Sequence, residues 1–126
     1  MGIEYTKDPE GAKYSRRKIP VDAKAAGVAS IDAIWQDLKD IKGLEKDCKT
    51  GKSLGFTGKS LIHPDQISIT HKIFYPTKSE IQWAEKVCKS YTESIKKGKG
   101  ATTVEGKMID EVHFKQAEEI LKITKN

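Results

Sequence analysis

Two short apolar runs, Ser30-Ile31-Asp32-Ala33-Ile34-Trp35 and Lys59-Ser60-Leu61-Ile62, each lead through a loop into a segment of helical period. Strands that alternate with helices in this way form parallel βα units, and this order constrains the chain more than any other feature. Two short parallel strands do not make a sheet, because each leaves an exposed edge. The pattern predicts an α/β chain whose strands belong to a larger sheet.

Local signals bound the flanking elements. Asp8-Pro9-Glu10 starts a helix with a capping carboxylate, a proline in the first turn and an acid at the positive end of the dipole. That helix runs to about Ala26 and stops at Gly27, with a kink expected at Pro20, which removes a backbone donor and crowds the preceding turn. A loop over 36–42 leads to a helix from about Gly43 to Leu54, closed by Gly55. After His63-Pro64-Asp65-Gln66 comes an apolar helix carrying Ile67, Ile69, Ile73 and Phe74. Thr77-Lys78-Ser79-Glu80 is a capping box for the next helix, whose apolar face is Ile81, Ala84, Val87, Cys88, Tyr91 and Ile95. Glu105-Gly106 joins 101–104 to 107–109 as a hairpin. A last helix, Glu111 to about Ile123, buries Phe114, Ala117, Ile120 and Leu121.

The 23 Lys and Arg against 18 Asp and Glu give a net charge of +5, which raises nucleic acid as a partner. The signs are interleaved along the helices, however, and the one basic run, Lys96-Lys97-Gly98-Lys99, sits where a helix ends and cations suit the dipole. Nucleic-acid binding is not expected. Cys48 and Cys88 have no second sulfur or histidine near them in the sequence and fall on apolar helical positions, so they read as buried, reduced thiols rather than zinc ligands. No apolar stretch reaches membrane-spanning length, and a cytoplasmic protein is expected.

Gly58-Lys59-Ser60 has the ending of a phosphate-binding loop, but the motif needs a glycine five positions earlier, where Ser53 stands. Such a loop also leaves a strand and opens a helix, whereas this one leaves a helix and opens a strand. His63-Pro64-Asp65-Gln66 lies at the carboxyl end of a parallel strand, the end that carries active sites in barrels and open sheets. The same residues also suit a helix start, with Pro64 in the first turn, Asp65 on the dipole and His63 bonded locally. Asp37 and Asp40, in the loop after the other strand, are placed either as an acid–base or metal-binding pair or, for Asp40, as a helix cap. Asp110 precedes an amphipathic helix, where it is either an N-cap or a chemical group.

Several segments in order carry a resemblance. Ser30 to Trp35 with Asp37, Asp40, Gly43 and Leu44 is similar to a strand and loop of the form AIDxVYxDxxDxxGL. Gly55 to Lys59 and Ile62 to Ile67 match GFxGKxxIHPxQI, while Gly98 to Ala101 and Gly106 to Asp110 match GKGA and GxMID. By these motifs the chain resembles the citrate lyase beta-subunit-like, or citramalyl-CoA lyase, group of the HpcH/HpaI aldolase superfamily, over nearly its whole length. The resemblance implies the last part of an eight-stranded (β/α) TIM barrel. Strand seven is then 30–35 and strand eight 59–62. Residues 1–76 form the partial barrel segment, and 77–126 form the last barrel helix with a C-terminal hairpin and helix lid.

The resemblance further implies a Mg²⁺-dependent lyase that cleaves a 3-hydroxyacyl-CoA thioester of the citramalyl, malyl or citryl type to acetyl-CoA and a 2-oxo acid. Asp110 matches the aspartate that exchanges the proton on the acetyl carbon, as acid in cleavage and base in condensation. Ser60, Leu61, Ile62, His63 and Gln66 would contact the substrate or its CoA portion, and Asp37 and Asp40 would line the barrel mouth. The family's metal ligands, substrate arginine and CoA-phosphate lysines lie upstream of Met1, so no metal ligand is expected among these residues. A homo-oligomer or a complementing N-terminal barrel polypeptide is then the expected partner, and the chain alone is expected to be inactive. Pro20 departs from the family pattern and leaves the packing of its helix open. The alternative is a non-catalytic module for binding CoA esters or another subunit.

Overall fold

The computed structural model describes residues 10–125, so Asp8 and Pro9 lie outside the described residues. Two compact units divide between Phe74 and Tyr75. The first contains α1 (Glu10–Ala25), β1 (Ile31–Asp32), α2 (Ile41–Leu54), β2 (Gly58–Lys59), a 3₁₀ turn over Pro64–Gln66 and α3 (Ile67–Phe74). The second contains α4 (Lys78–Lys96), β3 (Thr102–Val104), β4 (Lys107–Ile109) and α5 (Glu111–Thr124).

In the first unit β1 and β2 pair in parallel, Ile31 with Gly58 and Asp32 with Lys59. Thr57 N donates to Ser30 O at 2.9 Å and Ser60 N to Asp32 O at 2.9 Å. The strands are shorter than the 30–35 and 59–62 expected from the apolar runs, and the reason lies in the chain beyond them. There a side chain replaces the ladder. Gln66 Oε1 accepts from Ile62 N at 3.1 Å, and Gln66 Nε2 donates to Trp35 O at 2.9 Å. Among the described residues neither strand has a second neighbour, and Ile31 is 55% exposed. α2 starts at Ile41, earlier than expected, because Asp40 caps it directly, Oδ1 accepting from Gly43 N at 2.9 Å. Pro20 lies buried within α1.

Gly51, buried in α2, faces the strand pair closely enough that a Cβ on it would lie 2.5 Å from Asp32 Oδ2. An exposed glycine to alanine change in a helix normally gains about 1 kcal/mol. Here the added methyl must displace a carboxylate held in place, so Gly51→Ala is expected to destabilise the unit by about 1–3 kcal/mol, read as a lower urea midpoint. A higher midpoint would show that Asp32 moves freely.

The second unit has an apolar core of Ala84, Val87 and Tyr91 from α4, Val104 and Ile109 from the hairpin, and Ala117 from α5. The Tyr91 and Phe114 rings stack with centroids 4.9 Å apart. Ile95, expected on the same face, is 50% exposed. The buried stripe continues through Ser94 instead, whose hydroxyl donates to Ala101 O at 2.7 Å and so ties the helix end to the hairpin. The predicted capping box holds: Thr77 Oγ1 accepts from Glu80 N and Glu80 Oε2 from Thr77 N. Glu105 (φ 50°) and Gly106 (φ 77°) make a left-handed two-residue turn, the kind that matches strand twist. Both cysteines are free, Cys48 buried and Cys88 half-buried, and burial raises both thiols above their ordinary range. No helix among the described residues is long and apolar enough to cross a membrane.

Candidate active site

Because β1 and β2 are parallel, the loops that follow them leave from the same edge of the pair. These loops carry seven of the residues singled out from the sequence. Ser60 and Ile62 are exposed and Leu61 is half-buried, just beyond the end of β2 rather than within it. His63 caps the 3₁₀ turn, its Nδ1 accepting from Asp65 N at 3.2 Å. That bond is the local arrangement the Pro64-Asp65 sequence allowed. Gln66 is 2% exposed, and both ends of its amide are bonded to backbone across the two loops. Its side chain fixes the distance between the loops. Asp37 Oδ1 accepts from Lys39 N at 3.1 Å, and Asp40 caps α2, so each carboxylate is engaged by nearby backbone.

Beneath this edge lies a cluster that local sequence pattern does not reveal. Asp32 of β1 and Lys59 of β2 are neighbours in the ladder and turn to the same side, toward α1 and α2. Lys59 Nζ donates to Asp32 Oδ2 at 3.1 Å and to Asp47 Oδ2 at 2.5 Å. Arg16 of α1 donates through Nε and Nη2 to the two oxygens of Asp32 at 3.0 and 2.5 Å, and through Nη1 to Asp47 Oδ1 at 2.7 Å. Two cations thus meet two carboxylates. Burial works to raise the Asp32 carboxyl, but the Arg16 hydrogen bonds and the nearby cations outweigh it and hold the group below its usual range. The signal available in the sequence was an aspartate in the middle of one apolar run and a lysine at the head of the other.

Trp35, just past β1, lines a groove of about 570 Å³ with Arg16, Asp40, Gly43 and Asp47. Its buried Nε1 is the one side-chain polar atom among the described buried groups without a hydrogen-bond partner.

Asp110 lies in the second unit, between β4 and α5, and caps α5. Its Oδ1 accepts from Val112 N at 3.0 Å and His113 N at 3.2 Å, and lies 2.7 Å from His113 Nδ1. The His113 contact and these backbone donors hold the carboxyl below its ordinary range. The cap therefore occupies Oδ1, and none of these bonds reaches Oδ2. The motif that singles out Asp110 leaves out His113. An N3 residue three positions after an Asp cap was the available sign.

Among the described residues no three His, Cys, Asp or Glu side chains are grouped to hold a metal ion. In the charged cluster Arg16 and Lys59 pair with the carboxylates of Asp32 and Asp47.

Residues 3–126 match the C-C bond lyase family of the TIM-barrel fold, and the chain belongs to that family. It is 40% identical over 121 residues to the mitochondrial citramalyl-CoA lyase of Mus musculus, covering 96% of this chain and 36% of the mouse protein. It is 34% identical over 128 residues to the citrate lyase subunit beta of Leuconostoc mesenteroides subsp. cremoris, covering 95% of this chain and 42% of that subunit. Among solved structures, CitE from Mycobacterium tuberculosis in complex with magnesium, acetoacetate and coenzyme A superposes with a TM-score of 0.76 at 26% identity, over 100% of this chain and 46% of that one. The chain thus spans well under two thirds of the length of these relatives.

Proposed function

We propose that this chain supplies the closing portion of a CoA-ester lyase, which cleaves a 3-hydroxyacyl-CoA of the citramalyl, malyl or citryl type to acetyl-CoA and a 2-oxo acid. In this reading β1 and β2 are the seventh and eighth barrel strands, and residues 77–126 form the last barrel helix and the lid. The observation that carries it is the shared carboxyl edge of β1 and β2, where Gln66 ties the two loops at a fixed spacing. Active sites of this barrel class are built from such loops. The family membership and the coenzyme A bound by the similar CitE structure support a CoA thioester as the substrate.

Backbone groups of Ser60, Leu61, Ile62 and His63 would face the substrate, with Asp37 and Asp40 at the mouth. Gln66 acts by holding the loops rather than by touching substrate. Asp110 exchanges the proton on the acetyl carbon, giving it in cleavage and taking it in condensation. A magnesium ion like the one seen with CitE would be held by the remainder of the barrel. That remainder is another polypeptide or another part of a longer chain, within an assembly of more than one subunit.

The test is complementation. The 126 residues alone are expected to give no Mg²⁺-dependent release of acetyl-CoA from citramalyl-CoA or malyl-CoA. Mixing with a polypeptide carrying the first six βα units of a relative should restore it. Turnover by the isolated chain would sink its incompleteness, and a mixture that forms a stable complex yet stays inactive would sink the lyase assignment.

A further inference from the structure

Asp110 is shared between two tasks, and the geometry around it shows how they divide. Oδ1 takes every hydrogen bond described for the carboxylate: two from the first turn of α5 and one at 2.7 Å involving His113 Nδ1. An ionised carboxylate has no proton to donate, so the proton in the 2.7 Å contact belongs to Nδ1. The Asp110 backbone N–H lies 3.4 Å from that same nitrogen, the reciprocal half of a capping box; it can donate there only in the tautomer whose Nδ1 is unprotonated, and at that length it is the weaker of the two contacts.

An N-cap aspartate held only by backbone donors is free to swap its two oxygens by rotation about the Cβ–Cγ bond. A ring donor on Oδ1 from a third direction opposes that swap. The usual residue at this position of a capping box is Glu or Gln. A glutamate there would put a second negative charge beside Asp110 and push its carboxyl upward, whereas the imidazole brings a donor.

We propose that His113 is a positioning residue for Asp110: its Nδ1–H pins Oδ1 to the helix cap so that Oδ2 alone is presented for proton transfer. The inference rests on the reading of Asp110 given above. His113 itself touches no reacting atom and works through the carboxylate.

The experiment uses the complemented enzyme and three variants. His113→Ala is expected to lower kcat for citramalyl-CoA cleavage, and the rate of acetyl-CoA methyl exchange in D₂O, by roughly ten- to a hundredfold, with KM within about twofold. His113→Asn, whose amide can donate to Oδ1, should recover most of that loss. His113→Glu supplies the usual capping-box residue and so should fold as well as the parent, yet it should be at least as slow as His113→Ala. An independent readout is the ¹³C NMR titration of the Asp110 carboxyl in the purified chain, which should move upward in His113→Ala and His113→Glu.

A His113→Glu enzyme with parental kcat, or an Asp110 titration unmoved in both variants, overturns the positioning role. Asp110→Asn, assayed in parallel, separates the two levels. If it keeps full activity, the assignment of Asp110 itself fails. If it is dead while His113→Glu is fully active, Asp110 stands and only the role of His113 falls.

Discussion

Asp110→Asn in the complemented lyase is expected to lose about 10²- to 10⁴-fold in cleavage and in acetyl-CoA hydrogen exchange, with almost no change in thermal stability. The second half of that statement gives the first its meaning. Asparagine is as good an N-cap as aspartate, because its side-chain oxygen accepts from the same first-turn amides. The bonds from Val112 N and His113 N therefore survive the substitution, while the ability to take or give a proton at Oδ2 does not. Asp110→Ala removes both and should lower the thermal midpoint in addition. The His113 contact and the backbone donors hold the Asp110 carboxyl below its ordinary range, so it stands ionised at neutral pH. An ionised group is ready to act as a base, which makes hydrogen exchange on acetyl-CoA the most sensitive readout. If Asp110→Asn kept full exchange activity, the aspartate would be a cap and nothing more.

What the sequence disclosed about this molecule follows the reach of each interaction along the chain. The caps were legible: Thr77 with Glu80, and Asp110 with the first turn of α5, act within three residues, and residue type names the partner. The Glu105-Gly106 turn was legible for the same reason. Strand length was not, since a strand ends where its partner ends, and here the amide of Gln66 takes over from the ladder. The Arg16–Asp32–Asp47–Lys59 cluster was invisible because its bonded partners are 12 to 31 positions apart and each looks like one more charge in a highly charged chain. For the candidate site, motif likeness pointed to Asp110 and the loop after β2, while the contacts of Gln66 with both loops and of His113 with Asp110 appear only in the fold.

Lys59→Met is expected to destabilise the first unit by about 3–5 kcal/mol, the loss typical when one member of a buried ion pair is removed. Methionine nearly matches the lysine stem in volume, so the cost is electrostatic rather than a cavity. The Lys59 side chain is fully buried, as is that of Asp32, and without the ammonium two carboxylates face one guanidinium. Asp32→Asn/Lys59→Met leaves Arg16 with Asp47 as a neutral pair, so the double variant should lie about 1–3 kcal/mol above the sum of the singles in a urea double-mutant cycle. Strict additivity would show that Asp32 and Lys59 do not interact. Acid provides a second check with a defined sign. The Asp32 carboxyl lies lower in the folded state than its unfolded value of about 3.9, so its contribution is complete above that value and is lost as pH falls through the folded one. Removing Lys59 takes away one of the charges that hold it down, and the acid unfolding midpoint of Lys59→Met should rise. The same lysine precedes Ser60, whose N–H continues the ladder to Asp32 O. Loosening the cluster should therefore speed amide exchange first at Ser60, at the start of the loop that the proposed function places against the substrate.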